Sequence, residues 1–125
     1  MSDAAPGSMH IGEVAERTGL SHRTMRHYDE VGLVTPSGRS EGGFRLYTED
    51  DVARLLLIRR MKPLGYSIDE MKDLLDAVEG LGSKKGSSGA RSTFEGFVAD
   101  AHSRRAKLAE QLAMADEFIA LLVAR

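Results

Sequence analysis

The chain has 125 residues, 42% of them hydrophobic and 29% charged, which suits one small domain with an appendage. Its 17 basic and 19 acidic side chains leave a net charge of −2, so affinity for nucleic acid would have to come from local clustering of Arg and Lys. There is no cysteine, which excludes disulfides, thiolate redox chemistry and Cys-based metal sensing, and no apolar run approaches the length of a membrane span.

Residues 1–8 are small and polar, include Pro6 and Gly7, and lack the apolar stretch of a signal peptide; they read as a disordered tail. From Ile11, the residues Val14, Ala15 and Leu20 give the spacing of a short amphipathic helix, which Gly19 ends. Ser21 caps a second helix that runs to about Val31, with Gly32 as a left-handed stop. A helix, a short turn containing Gly and a second helix outline a helix-turn-helix. Met25 and Tyr28 share an inward side with Leu20, while His22, Arg23, Arg26 and His27 point outward. Such a face suits a DNA groove, because Arg donates in a fork that matches guanine O6 and N7. It would equally serve as an ordinary solvated surface, so the rest of the chain has to decide.

Leu33 and Val34 lead into residues 35–43, too rich in Pro and Gly for a helix, and Phe44-Arg45-Leu46-Tyr47 alternates like a strand. With Leu33-Val34 opposite, the expectation is a small hairpin wing carrying Arg39 in its loop and Arg45 on its return strand. Thr48 caps the next helix, and Glu49, Asp50 and Asp51 sit where the helix dipole favours negative charge. Val52, Leu55, Leu56 and Ile58 continue that helix to about Lys62, as the main partner of the helix-turn-helix core. Pro63 to Tyr66 break it, and the capping box Ser67 to Glu70 opens a helix with Ile68, Met71, Leu74, Leu75 and Val78 at helical spacing. Arg59, Arg60, Lys62 and Tyr66 frame a second wing-like projection, although cations at a helix end also simply complement its dipole.

Residues 79–92 are dominated by Gly and Ser and read as a flexible linker. Ser92 to Glu95 form another capping box, opening a long helix over 93–125. Phe94, Val98, Ala101, Leu108, Leu112, Ala115, Ile119 and Leu122 form a heptad seam interrupted by Arg105. A lone helix cannot bury such a seam; it folds back or pairs with a second copy, and the loose linker favours pairing. In a parallel pair two Arg105 guanidinium groups would face each other in a partly dry seam; an antiparallel crossing near Leu108 to Leu112 sets Arg105 beside the partner's Ala115 instead. The expectation is an antiparallel homodimer.

The four histidines are scattered, none paired at zinc-helix spacing with a carboxylate, and no phosphate-cradling Gly loop follows a strand. Asp50-Asp51 and Asp69-Glu70 are helix-start residues whose side chains point apart. Neither an enzyme, nor a cofactor, nor a metal site is expected.

Ile11-Gly12-Glu13-Val14-Ala15, Gly19-Leu20-Ser21, Thr24-Met25-Arg26-His27-Tyr28-Asp29, Gly32-Leu33, Gly43-Phe44-Arg45-Leu46-Tyr47 and Leu64 to Met71 together resemble the DNA-binding domain of the MerR family of bacterial transcriptional regulators. The resemblance covers residues 9–78 and implies a mainly α fold: a winged helix-turn-helix with a small β-hairpin wing, followed by a long coiled-coil dimerisation helix. It implies a homodimer that binds a pseudo-palindromic operator in double-stranded promoter DNA, bends and untwists it, and acts there with RNA polymerase, in the cytoplasm and associated with the nucleoid, with no membrane role. Carried over, the recognition helix contributes His22, Arg23, Arg26, His27 and Tyr28, the wing Arg39, Arg45 and Tyr47, and the second wing Lys62 and Tyr66. The chain departs from the family in having His27 where Tyr is usual and a longer connection before the last helix, with neither cysteines nor an effector domain after it. The alternative is an architectural, excisionase-like DNA-bending protein built on the same fold; a pure protein-interaction module would show no salt-dependent DNA binding.

Overall fold

The computed structural model describes residues 7–83 and 88–125. In chain order the elements are β1 (Met9–His10), α1 (Ile11–Thr18), α2 (His22–Glu30), β2 (Gly38–Arg39), β3 (Arg45–Tyr47), α3 (Glu49–Met61), α4 (Ile68–Gly82) and α5 (Ser88–Val123), with a 3-10 turn at Lys62–Leu64. They divide into two compact units, Met1–Lys72 and Asp73–Arg125, and the division falls inside α4. The tail expected over 1–8 lies mostly outside the described residues.

In the first unit, α1 ends where Gly19 turns left-handed, with φ of 73°, and its N–H caps Ala15 O at 2.8 Å. Only a residue without Cβ takes that conformation cheaply. Thr18 is fully buried; its hydroxyl donates to Val14 O and accepts from the Leu20 N–H, so the turn's polar groups are satisfied inside the core. Ser21 accepts from Thr24 N at 3.0 Å and caps α2. Met25 and Tyr28 turn inward onto a core of Val14, Leu46, Val52, Leu55 and Ile58.

The sheet is a three-stranded antiparallel one in the order β1-β3-β2, with Gly38 opposite Leu46 and Arg39 opposite Arg45 on one side of β3, and Met9 opposite Tyr47 on the other. Leu33 and Val34 are therefore not the strand facing Tyr47. Their N–H groups both donate to Tyr28 O, closing the end of α2, and their side chains are buried. A backbone already committed to a helix terminus has no donors left for a strand ladder.

Thr48 and Asp51 form a reciprocal capping box at the start of α3. Asp51 goes beyond the helix-start role expected for it. It is 2% exposed, and its carboxylate accepts from the N–H and the hydroxyl of Ser37, the N–H of Thr48 and the guanidinium of Arg54. A buried carboxylate is tolerated only with such a full set of donors, and this one ties the entry of the hairpin to the cap of α3. Arg17 and Glu49 make a two-pronged pair between α1 and α3 at 2.7 and 2.8 Å; the hydrogen bond holds Glu49 below the usual carboxylate range. Ser67 and Glu70 exchange the bonds of the expected capping box at the start of α4.

In the second unit, α4 continues to Gly82 and α5 begins at Ser88. Of the expected linker, residues 79–82 and 88–92 are helical, and 84–87 lie outside the described residues. The long helix thus starts before the Ser92–Glu95 box that was expected to open it. The reason is packing: an ideal Cβ on Gly80 would come within 2.8 Å of the Ala90 Cβ. The small residues that resembled a flexible tether allow two helices to approach closely. On the first half of α5 the half-buried positions are Ala90, Phe94, Phe97, Ala101 and Arg104. Arg104, not Arg105, lies on this inward side, bonded to Asp100 at 2.7 Å. Val98 and Arg105 face outward and join Leu108, Leu112, Ala115, Ile119 and Leu122 in an exposed stripe.

Candidate nucleic-acid interface

α2 presents His22, Arg23, Arg26 and His27 outward, all exposed, because Met25 and Tyr28 take the inward positions of the same turns. Neither Arg23 nor Arg26 makes an ion pair or hydrogen bond with another described residue, so both guanidinium groups keep their donors for a ligand. His27 lies 6.2 Å, centroid to centroid, from the Tyr28 ring.

The wing arginines are held differently. The Asp29 carboxylate, near the end of α2, accepts from Arg45 Nε at 2.8 Å and from Arg39 at 3.4 Å. One Asp29 oxygen, Oδ2, thus joins both wing strands to the recognition helix. The bond raises Arg45 above its ordinary pKa, so it remains cationic. Arg39 also donates to Gly43 O across the hairpin tip, where Ser40 and Phe44 pair. Asp29 was visible in the sequence only as part of a motif, without a role. Its function emerges when residues 10 and 16 positions away in the chain are brought to its carboxylate.

Phe44, at the hairpin tip, is 68% exposed, and its ring rests over Gly42, where a Cβ would come within 2.9 Å. A bulky ring left in water at the tip of the hairpin is a feature that the sequence did not single out.

The three tyrosines expected at the interface are largely withdrawn from the surface: Tyr47 is completely buried, Tyr28 is 4% and Tyr66 8% exposed. Burial raises the pKa of Tyr28 and Tyr47 above the ordinary phenol value. Tyr28 and Tyr47 stand at inward positions of α2 and β3, and Tyr66 lies in the turn before α4; a large ring gains most by leaving water. Lys62 is exposed in the 3-10 turn after α3. Among the described residues there is no cluster of three metal-ligating side chains, and no helix is long and apolar enough to cross a membrane.

Residues 9–78 match the family model described as MerR HTH family regulatory protein. An uncharacterized HTH-type transcriptional regulator of Pseudomonas aeruginosa is 45% identical over 67 residues, which are 54% of this chain and 51% of that protein. The chain spans about half the length of the curated relatives it matches. Among solved structures, a MerR family transcriptional regulator from Bacillus cereus is 32% identical, with a TM-score of 0.62, over 87% of this chain and 73% of that one. HiNmlR, a MerR family regulator lacking the sensor domain and bound to promoter DNA, is 26% identical with a TM-score of 0.71, over 90% of this chain and 88% of its own.

Proposed function

The chain belongs to the MerR family of helix-turn-helix regulatory proteins, and from that membership we propose that it is a transcription regulator that binds promoter DNA sequence-specifically as a homodimer and bends and untwists it. The observation that carries this reading is the outward face of α2, where Arg23 and Arg26 are exposed and unpaired among the described residues, beside a wing whose cations are set in place by Asp29. On a chain of net charge −2, Arg23 and Arg26 stand without a carboxylate partner among the described residues, on the face that would meet a major groove. In this reading Arg23 and Arg26 read bases or grip phosphates, His22 and His27 flank them, Arg39, Arg45 and Phe44 lie along the neighbouring backbone, and Lys62 extends the contact. The partners are a pseudo-palindromic operator, a second copy of the chain, and RNA polymerase at the same promoter.

The test begins with mapping bound sites across the genome, together with the transcript change on deletion. Sites centred on promoter spacers support the proposal, whereas sites at recombination junctions favour the architectural alternative. On an operator so identified, Arg23→Ala or Arg26→Ala is expected to weaken specific binding by about 1–3 kcal/mol where the residue reads a base. A phosphate contact instead weakens all sequences alike and flattens the salt dependence. Unchanged affinity in both variants would remove α2 from the interface.

A further inference from the structure

In the described part of the first unit, the arginines sort into two groups. Arg17 is paired with Glu49, Arg39 and Arg45 with Asp29, and Arg54 with Asp51, while Arg60 donates to Leu56 O in its own helix. Three make no ion pair or hydrogen bond with another described residue: Arg23 and Arg26 on α2, and Arg59 near the end of α3. Sequence spacing had associated Arg59 with the projection after α3. Its side chain goes elsewhere. The guanidinium lies over Gly19, the left-handed residue of the turn between α1 and α2: a Cβ built there would sit 3.4 Å from Arg59 Cζ and Nη2 and 3.7 Å from Nε. Three atoms of one plane at nearly equal distance describe a flat group lying across the turn.

We infer that Arg59 is a DNA-backbone contact belonging to the helix-turn-helix itself, a cation seated on the Gly19 turn and presented to a phosphate beside the start of the recognition helix. The inference rests on the DNA-binding reading and adds to it a residue from a third helix. A guanidinium is planar and weakly hydrated, so it can stack on backbone and still offer its edge donors to a phosphate; a lysine ammonium cannot. Resting on a turn fixed by the Gly19 and Thr18 hydrogen bonds, the long side chain has less freedom left to lose on binding. With no carboxylate on it among the described residues, its charge is not already neutralised. Gly19 then has two roles, since it supplies the left-handed turn and leaves the surface flat for the guanidinium.

The test uses the full chain and a short mixed-sequence duplex, with binding measured between about 50 and 200 mM salt. Arg59→Gln keeps a planar head and removes the charge; Arg59→Lys keeps the charge and removes the plane. Arg59→Gln is expected to weaken binding roughly tenfold, equally on any sequence, and to lower the salt slope by about one, with an unchanged melting temperature. Arg59→Lys, which keeps the charge without stacking on the turn, is expected to restore the slope and only part of the affinity. An Arg59→Gln protein with wild-type affinity and slope overturns the inference, as does a loss that Arg59→Lys fails to restore and that follows a fall in melting temperature. Arg23→Gln, measured alongside, separates the two levels. If it lowers the slope and Arg59→Gln does not, only the role of Arg59 falls; if the wild-type chain shows no salt-dependent binding, the DNA-binding reading falls and takes this inference with it.

Discussion

Tyr47 carries a phenolic hydroxyl into the core with no hydrogen-bond partner among the described residues. An unsatisfied buried hydroxyl is a cost, whereas the ring around it fills the space between β3 and its neighbours. Tyr47→Phe is therefore expected to raise stability by about 1 kcal/mol in thermal or denaturant unfolding. Because the group is buried, operator affinity should not change; a fall in affinity would return Tyr47 to the interface. A pH dependence follows from the same burial. The folded-state pKa of Tyr47 is raised, so its contribution is fully present below the unfolded tyrosine value of about 10 and is lost as the pH rises through the folded value. Tyr47→Phe should resist alkaline unfolding better than the wild type, with the remaining loss left to Tyr28, whose pKa is also raised by burial.

Between elements, Asp29 and Gly80 allow tests in which two physical effects predict opposite signs. Asp29 places a negative charge on the proposed DNA face. If electrostatics alone governed binding, Asp29→Asn would strengthen it by removing repulsion from phosphate. If the carboxylate acts by holding Arg45 and Arg39 to α2, the same change loosens the wing. The expected result in a binding titration is weaker operator affinity, with non-specific affinity unchanged or higher; tighter operator binding would show that the bridge has no positioning role. At Gly80, the helix interior favours Ala over Gly by roughly 1 kcal/mol, so in a mere tether Gly80→Ala would stabilise. The added Cβ would meet the Ala90 Cβ at 2.8 Å, and that contact is expected to dominate, lowering the melting temperature. A raised melting temperature would mean that the two helices do not pack there.

At the scale of the molecule, the second half of α5 is the least satisfied surface. From residue 105 onward every side chain is exposed, including Leu112, Ile119 and Leu122 of the heptad seam and Met114, Phe118 and Leu121 beside it. An apolar surface this continuous calls for a partner. The proposed partner is a second copy, with the helices antiparallel so that the Arg105 guanidinium groups do not meet. Leu112→Asp with Ile119→Asp should yield a monomer by light scattering and abolish cooperative binding to two half-sites, while leaving the melting of the first unit unchanged. A dimer that survives both substitutions would exclude the seam.

The extent of each helix in the first unit, its caps at Ser21, Thr48 and Ser67, and the outward cationic face of α2 were legible in the sequence. They depend on neighbours three or four residues apart, and at that range hydrophobic period and capping chemistry are local. The heptad spacing was legible only in part: Val98, Leu108, Leu112, Ala115, Ile119 and Leu122 share an exposed stripe, whereas Phe94 and Ala101 turn to the half-buried side with Arg104. What the tertiary structure decided involves residues far apart in the chain. β1 rather than Leu33-Val34 pairs beside Tyr47, because Tyr28 O had already taken the donors of that pair. Tyr28, Tyr47 and Tyr66 went to the core, because an aromatic with a polar tip suits a surface or an interior equally well until its neighbours are known. Asp29 collected two arginines, Asp51 collected the hairpin entry, Arg59 settled on Gly19, and Gly80 became a point of close approach. Local sequence establishes where a helix runs and which side is apolar; which charge meets which, and whether a glycine serves as a hinge or a contact, is settled only when the packed core brings those distant groups together.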